Sequence, residues 1–217
     1  MSFPVAVLAS GRGSNLGALI DAREAGRLPI EIVLVAGDKA EAPALRNAEA
    51  HGIPTLALNP KSCQTRREFD EALFARVAGS GAKLVVLAGF MRILDAGVVE
   101  AWRGRIVNIH PSLLPKYRGL HTHRRVLAAG DAEHGASVHF VTPELDGGPV
   151  IAQACILVLP GDDEETLATR LLAQEHCLIV ASVDAIARGR VALHDSAVIC
   201  DGKMLREPLR LVDGALS

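Results

Sequence analysis

Val5-Ala6-Val7-Leu8-Ala9-Ser10-Gly11-Arg12-Gly13-Ser14-Asn15-Leu16 is the stretch on which the reading of the fold turns. The unbroken apolar run from Val5 to Ala9 suits a strand covered on both faces, as parallel strands are. Gly11 to Asn15 then turns the chain, and Leu16, Leu19 and Ile20 recur at helical spacing through Glu24. The same alternation continues downstream. Ile30–Ala36 and Ile53–Leu58 read as strands on either side of a helix over Ala42–His51. Leu84–Ala88 follows a helix over Arg67–Ala78 whose apolar positions are Phe69, Leu73, Phe74 and Val77. A short helix near Ala96–Trp102 leads into a strand at Ile106–Ile109. Strands alternating with helices predict an α/β, Rossmann-like fold, with a mostly parallel central sheet and helices on both faces.

After His110 the pattern changes. His110–His123 is a long loop rich in Pro, Gly and His, and Ala136–Val141 and Val150–Leu159 read as strands with little helix between them. That predicts an antiparallel C-terminal extension of the sheet. Asp162 with Glu165 forms a capping-box pattern opening a long helix to about Ala187. The tail, Val191–Arg206, has two β runs around Asp201-Gly202, a hairpin signal. No repeat, linker or low-complexity segment interrupts residues 1–217, which are taken as a single domain.

Composition narrows the function classes. Lys and Arg number 23 against 25 Asp and Glu, so bulk charge offers no reason to expect nucleic acid. Aromatic residues are 3%, too few for base-stacking platforms. Cys63, Cys155, Cys177 and Cys200 lie far apart with no CxxC pair; three sit in apolar or mixed runs and read as buried reduced thiols, suited to the cytoplasm. The first residues lack a signal-peptide pattern, and no apolar run approaches the roughly 18–20 residues that span a bilayer, so no membrane partner is expected.

The turn Ser10-Gly11-Arg12-Gly13-Ser14-Asn15 is not a dinucleotide fingerprint, because Leu16 stands where the third glycine belongs and Gly17 comes one residue late. Asp38 is then a loop residue rather than a ribose ligand. Small residues before a helix still let backbone N–H groups meet a single phosphate. The plainer alternative is a tight turn with Ser14 as a helix cap.

Asn108 and His110 are two apart in a strand, so they point to one face near its carboxyl end. Pro111 and Pro115 stiffen the loop that follows, and Leu145-Asp146-Gly147-Gly148-Pro149 later supplies an acid in a turn. Acyl transfer needs a donor for the developing oxyanion, a group that handles protons near neutrality, and a charge that orients it. Asn108, His110 and Asp146 are residue types suited to those tasks; Asp146 beside His110 would raise its pKa and hold its ring. Read alone, Asp146 is equally a turn former next to Gly147.

Several motifs in order carry a resemblance. Asn108-Ile109-His110-Pro111-Ser112-Leu113-Leu114-Pro115 with Gly119, then Leu145-Asp146-Gly147-Gly148-Pro149, resemble the folate-dependent phosphoribosylglycinamide formyltransferase family. So do Ser10–Asn15, Ala88-Gly89-Phe90-Met91-Arg92-Ile93-Leu94 and Gln174-Glu175-His176, over about Val5 to Arg190. The resemblance implies formyl transfer from 10-formyltetrahydrofolate to the amine of phosphoribosylglycinamide, without a metal. It implies a catalytic trio of Asn108, His110 and Asp146. Gly13, Ser14 and Asn15 would meet the phosphorylated substrate, as would Leu172, Ala173, Gln174 and Glu175. The folate would meet Met91, Arg92, Ile93, Leu94, Asn108, Glu144, Leu145 and Asp146, with an arginine of the third helix, Arg67 being taken over Arg66. The halves would be 1–105 for phosphate and 106–190 for catalysis and folate, with 191–217 as the terminal hairpin. Both a monomer and a homodimer stay open.

Other features have plainer readings. His110, His121, His123 and Asp146 can be drawn as a metal site, but His121 and His123 read better as loop packing or pocket lining. His134 and His139 show no partner and read as structural or exposed. Glu164 and Glu165 favour a helix dipole, and Lys116 and Arg118 read as solvated charge. Rival functions are a methionyl-tRNA or sugar-nucleotide formyltransferase, a formyltetrahydrofolate hydrolase, and a non-catalytic folate or phosphate binder. The first of these and the hydrolase are expected to carry further domains, and a pure binder has no need of the trio.

Overall fold

The computed structural model describes residues 2–217, and in it Val5 to Leu8 are wholly shielded from solvent, as their unbroken apolar run requires. The chain packs as two units, one ending at Asn108 and the other running from Ile109 to Ser217. In the first, β1 (Phe3–Leu8), β2 (Ile30–Gly37), β3 (Thr55–Ala57), β4 (Leu84–Leu87) and the start of β5 (Ile106–His110) pair in parallel, in the order β5-β4-β1-β2-β3. The crossovers carry α1 (Ser14–Glu24), α2 (Pro43–Ala50), α3 (Arg66–Gly79) and α4 (Ala96–Ala101). Phe69, Leu73 and Val77 of α3 are fully buried, the i, i+4, i+8 stripe expected of a helix laid on a sheet. Because β1 pairs with both β2 and β4, the strand order reverses there, and the crevice beyond its carboxyl end is where open α/β sheets take ligands.

In the second unit β6 (Glu133–Phe140) and β7 (Val150–Leu157) form the expected antiparallel pair. α5 (Thr122–Ala129) precedes them, and α6 (Glu164–Ala187) buries Leu167, Leu171, Leu178 and Val183 completely. Among the described residues no helix is long and apolar enough to cross a membrane.

Three expectations need correction. The capping box of α6 is Asp163 with Thr166, not Asp162 with Glu165. Asp162 is already committed: its Oδ2 accepts from Leu159 N at 2.7 Å and pairs with Arg170. The tail is more than one hairpin, since β8 (Val191–His194), β9 (Ala197–Cys200) and β10 (Lys203–Met204) form a three-stranded antiparallel sheet. Asp201-Gly202 turns β9 into β10, with φ of 48° and 78° as a primed turn needs. Past Arg206, β11 (Leu209–Val212) runs parallel to β7 and turns back as β12 (Ala215–Leu216). Finally, all four cysteines are free thiols but none is buried: Cys155 and Cys177 are exposed, Cys63 and Cys200 half-buried.

Candidate active site

Gly13 starts α1 with φ 75°, a left-handed conformation that a side chain resists. A Cβ there would lie 2.6 Å from the Ala44 Cβ and 2.9 Å from its Cα. Ser14 is therefore the first helical residue and not the cap, and α1 begins without a side chain on its first N–H groups. Asn15 beside it is buried. Such an N-terminus suits an anion.

Beyond β4 the chain is fixed by side chains from far away in sequence. Ser10 Oγ accepts from Met91 N at 3.0 Å, and the Asp70 Oδ2 accepts from Asp95 N at 2.6 Å. Between those points Met91 and Ile93 are 69% and 53% exposed while Leu94 is buried. Arg92 lies with its guanidinium carbon 4.5 Å from the Phe69 ring centroid. Arg67 is held in an exposed i, i+4 pair with Glu71 at 2.7 Å.

β5 carries Asn108 and His110, the first half-buried and the second 6% exposed. The Asp146 turn has φ 47° at Asp146 and is closed by Gly147 N donating to Glu144 O at 3.1 Å. Its carboxylate is brought against the imidazole of His110, with Oδ2 3.5 Å from Nδ1. The same oxygen accepts from Gly119 N at 2.8 Å. On its other ring edge, His110 Nε2 lies 3.0 Å from the Tyr117 carbonyl, which can only accept, so Nε2 carries a proton. Both ring nitrogens thus face acceptors.

His139 was not foreseen. It is 2% exposed, its Nδ1 donates to Phe140 O at 2.9 Å, and its Nε2 faces Asp146 Oδ1 at 3.7 Å. Burial pushes its pKa below the usual imidazole range, against the pull of the Phe140 carbonyl and Asp146. One carboxylate therefore sits between two imidazoles and one backbone donor. A signal for this existed: Gly135, Ser137 and His139 alternate small and polar along one face of a buried strand. That face props the loop after His110. Ser137 Oγ donates to Ser112 O at 2.7 Å and accepts from Leu114 N at 3.0 Å, and Gln153 Nε2 donates to Leu114 O at 2.9 Å.

The loop's charges are not simply solvated. Lys116 pairs with Asp131 at 3.0 Å, Tyr117 OH donates to the same carboxylate at 2.9 Å, and Arg118 pairs with Glu144 of the Asp146 turn. His121 is exposed, whereas His123 Nδ1 meets His134 Nε2 at 2.9 Å. Among the described residues no three His, Cys, Asp or Glu side chains cluster as metal ligands. On α6, Leu172, Gln174 and Glu175 are half-buried and Ala173 exposed; Leu145 is 48% exposed and Glu144 open to solvent.

Two predictions arise here. Gly148 has no room for a side chain: a Cβ would stand 1.8 Å from the Phe140 carbonyl oxygen. Gly148→Ala must shift backbone, and a loss of roughly 2–4 kcal/mol is expected by urea denaturation. A midpoint equal to the parent's would mean the turn has slack. The second concerns His134, which burial, with His123 second, pushes down to about 4. The unfolded chain takes that proton near pH 6.5, so stability is intact above about 6.5 and declines as pH falls toward 4. The group contributes about 3 kcal/mol to that decline. His134→Asn should flatten the stability profile between pH 6.5 and 4; an unchanged slope would assign the acid loss elsewhere.

Comparison with known proteins follows the same lines. The sequence profile of the family described as "Formyl transferase" matches residues 4–183. The chain is 46% identical over 201 residues to the phosphoribosylglycinamide formyltransferase of Escherichia coli (strain K12), covering 93% of this chain and 95% of that protein. The structure of the phosphoribosylglycinamide formyltransferase from Coxiella burnetii superposes with a TM-score of 0.91 at 45% identity, over 94% of this chain and 96% of that one. A formyltetrahydrofolate deformylase from Pseudomonas syringae pv. tomato is also similar, with a TM-score of 0.84 at 27% identity, over 92% of this chain and 66% of that one.

Proposed function

The chain belongs to the formyl transferase family, and we propose that its chemistry is direct transfer, with the acceptor amine attacking the formyl carbon of the donor. The acceptor is phosphoribosylglycinamide and the donor 10-formyltetrahydrofolate, in purine biosynthesis. The amine nitrogen forms a bond to the formyl carbon, the carbonyl oxygen becomes an oxyanion, and the bond to N10 of the folate then breaks. The amine's proton leaves with N10, giving tetrahydrofolate and the formamide. Asn108 donates its carboxamide N–H to the oxyanion, and the His110 imidazolium donates from Nε2. Nε2 is the working nitrogen because Asp146 takes the Nδ1 side; the oxyanion competes for the proton that otherwise goes to the Tyr117 carbonyl. Asp146 keeps His110 oriented and offsets its charge.

Gly13, Ser14 and Asn15 at the start of α1 receive the phosphorylated acceptor, together with Leu172, Ala173, Gln174 and Glu175. Met91, Arg92, Ile93 and Leu94 meet the folate, as do Asn108, Glu144, Leu145, Asp146 and Arg67. The exposure of Met91, Ile93 and Leu145 supports this, since large apolar side chains left open mark ligand-facing surface. We place the protein in the cytoplasm, where its four free thiols suit a reducing medium.

The observation that carries the reading is the Asp146 carboxylate against the His110 ring at 3.5 Å. The test is ultraviolet detection of the folate product with phosphoribosylglycinamide supplied and withheld. Donor consumption that needs the amine is expected. Consumption at the same rate without it points to hydrolysis instead, the reaction of the deformylase to which the chain is also similar.

A further inference from the structure

Asp70 is a carboxylate with no place in the chemistry above. It sits in α3 and is 0% exposed. Its Oδ2 accepts from the Asp95 amide at 2.6 Å, while Oδ1 is buried with no hydrogen-bond partner among the described residues. Arg92 Nε is likewise buried without one. Burial pushes the Asp70 carboxyl above its ordinary range, and the Asp95 amide, then Arg92 and Arg66, pull it back. A buried carboxylate with an idle oxygen is a costly way to hold one helix, and an apolar residue of the same size would do that better.

Its position accounts for the cost. Asp95 closes the segment that starts at Met91, and Ser10 Oγ fixes the Met91 amide at the other end. The two fixed amides bracket a stretch whose Met91 and Ile93 side chains stand out into solvent with little packing of their own. Such a stretch keeps one shape only if its backbone ends are held. We infer that Asp70 is a positioning residue for the donor, setting the Met91–Leu94 segment by its hydrogen bond to the Asp95 amide. This rests on the proposal that the segment meets the folate.

The test compares three full-length variants. Asp70→Asn keeps an oxygen that accepts from Asp95; Asp70→Ala and Asp70→Leu do not, and leucine fills the space that alanine empties. The leucine and alanine chains are expected to raise KM for 10-formyltetrahydrofolate about tenfold or more, with KM for phosphoribosylglycinamide within about twofold of the parent. Asparagine should restore the donor KM to within about threefold. Amide hydrogen exchange at Asp95 should quicken in leucine and alanine but not in asparagine. A leucine chain with the parent's donor KM, or with both KM values raised together, overturns the inference. So does slow Asp95 exchange in that chain. A parent enzyme without amine-dependent transfer strikes the underlying function instead, and the exchange measurement still decides whether Asp70 holds the segment.

Discussion

His110→Ala is expected to lower turnover by about 100-fold or more while leaving the donor and acceptor KM values near the parent's. The side chain sits under the protein surface at 6% exposure and is gripped from both ring edges, by the Tyr117 carbonyl and by Asp146. Such a ring is poorly placed to bind ground-state substrate by loose contact, and well placed to give up a defined Nε2 proton to charge that develops in the transition state. Removing it therefore falls on kcat. His110→Gln offers a neutral N–H without a transferable charge and should recover only part of the loss. Steady-state kinetics on all three chains decides the matter. A turnover number for the alanine chain equal to the parent's would remove His110 from the mechanism.

The parallel half of the fold was open to reading because its strands are buried on both faces, and apolar runs such as Val5–Leu8 and Leu84–Leu87 declare that without reference to a partner. The second half depends on pairing across long separations, and there local patterns misled. Asp162 has the right spacing for a cap, yet it is taken by Arg170 and Leu159, so its neighbour Asp163 does the capping. The β11–β12 hairpin did carry a local sign, Asp213-Gly214 between apolar residues, with φ of 50° and 80° in the folded chain. It was missed because β11 is only four residues long and gains its place from β7, about 57 positions earlier. For the site, residue type and strand spacing picked out Asn108 and His110, but only tertiary structure could put Asp146 on His110 across the intervening loop. The same step turned His139 from an apparently partnerless residue into a second imidazole on that carboxylate.

Asp146→Asn should cost more than His110→Ala, about 1,000-fold in turnover or beyond, although the change is one atom in size. The Asp146 Oδ2 accepts from Gly119 N and faces His110 Nδ1, and Oδ1 faces His139 Nε2. An asparagine oxygen in the place of Oδ2 still accepts from Gly119 N and faces His110 Nδ1. Its NH2 then points at His139 Nε2, which can accept because the ring donates to Phe140 O from Nδ1, so the hydrogen bonds survive and what is lost is the charge. The substitution withdraws the negative charge that lies against both rings, so the charge that develops at His110 during transfer has no counterion while the ring stays buried. His139→Asn removes just one of the carboxylate's three contacts and should reduce turnover by no more than about tenfold. The order of effects is the discriminating result: Asp146→Asn below His110→Ala, and His139→Asn well above both, with each chain keeping the parent's unfolding midpoint to show that chemistry and not folding is lost. If Asp146→Asn retains more than about a tenth of the parent's turnover, the carboxylate is a turn former that happens to lie beside a histidine, and the transition-state charge must be balanced elsewhere.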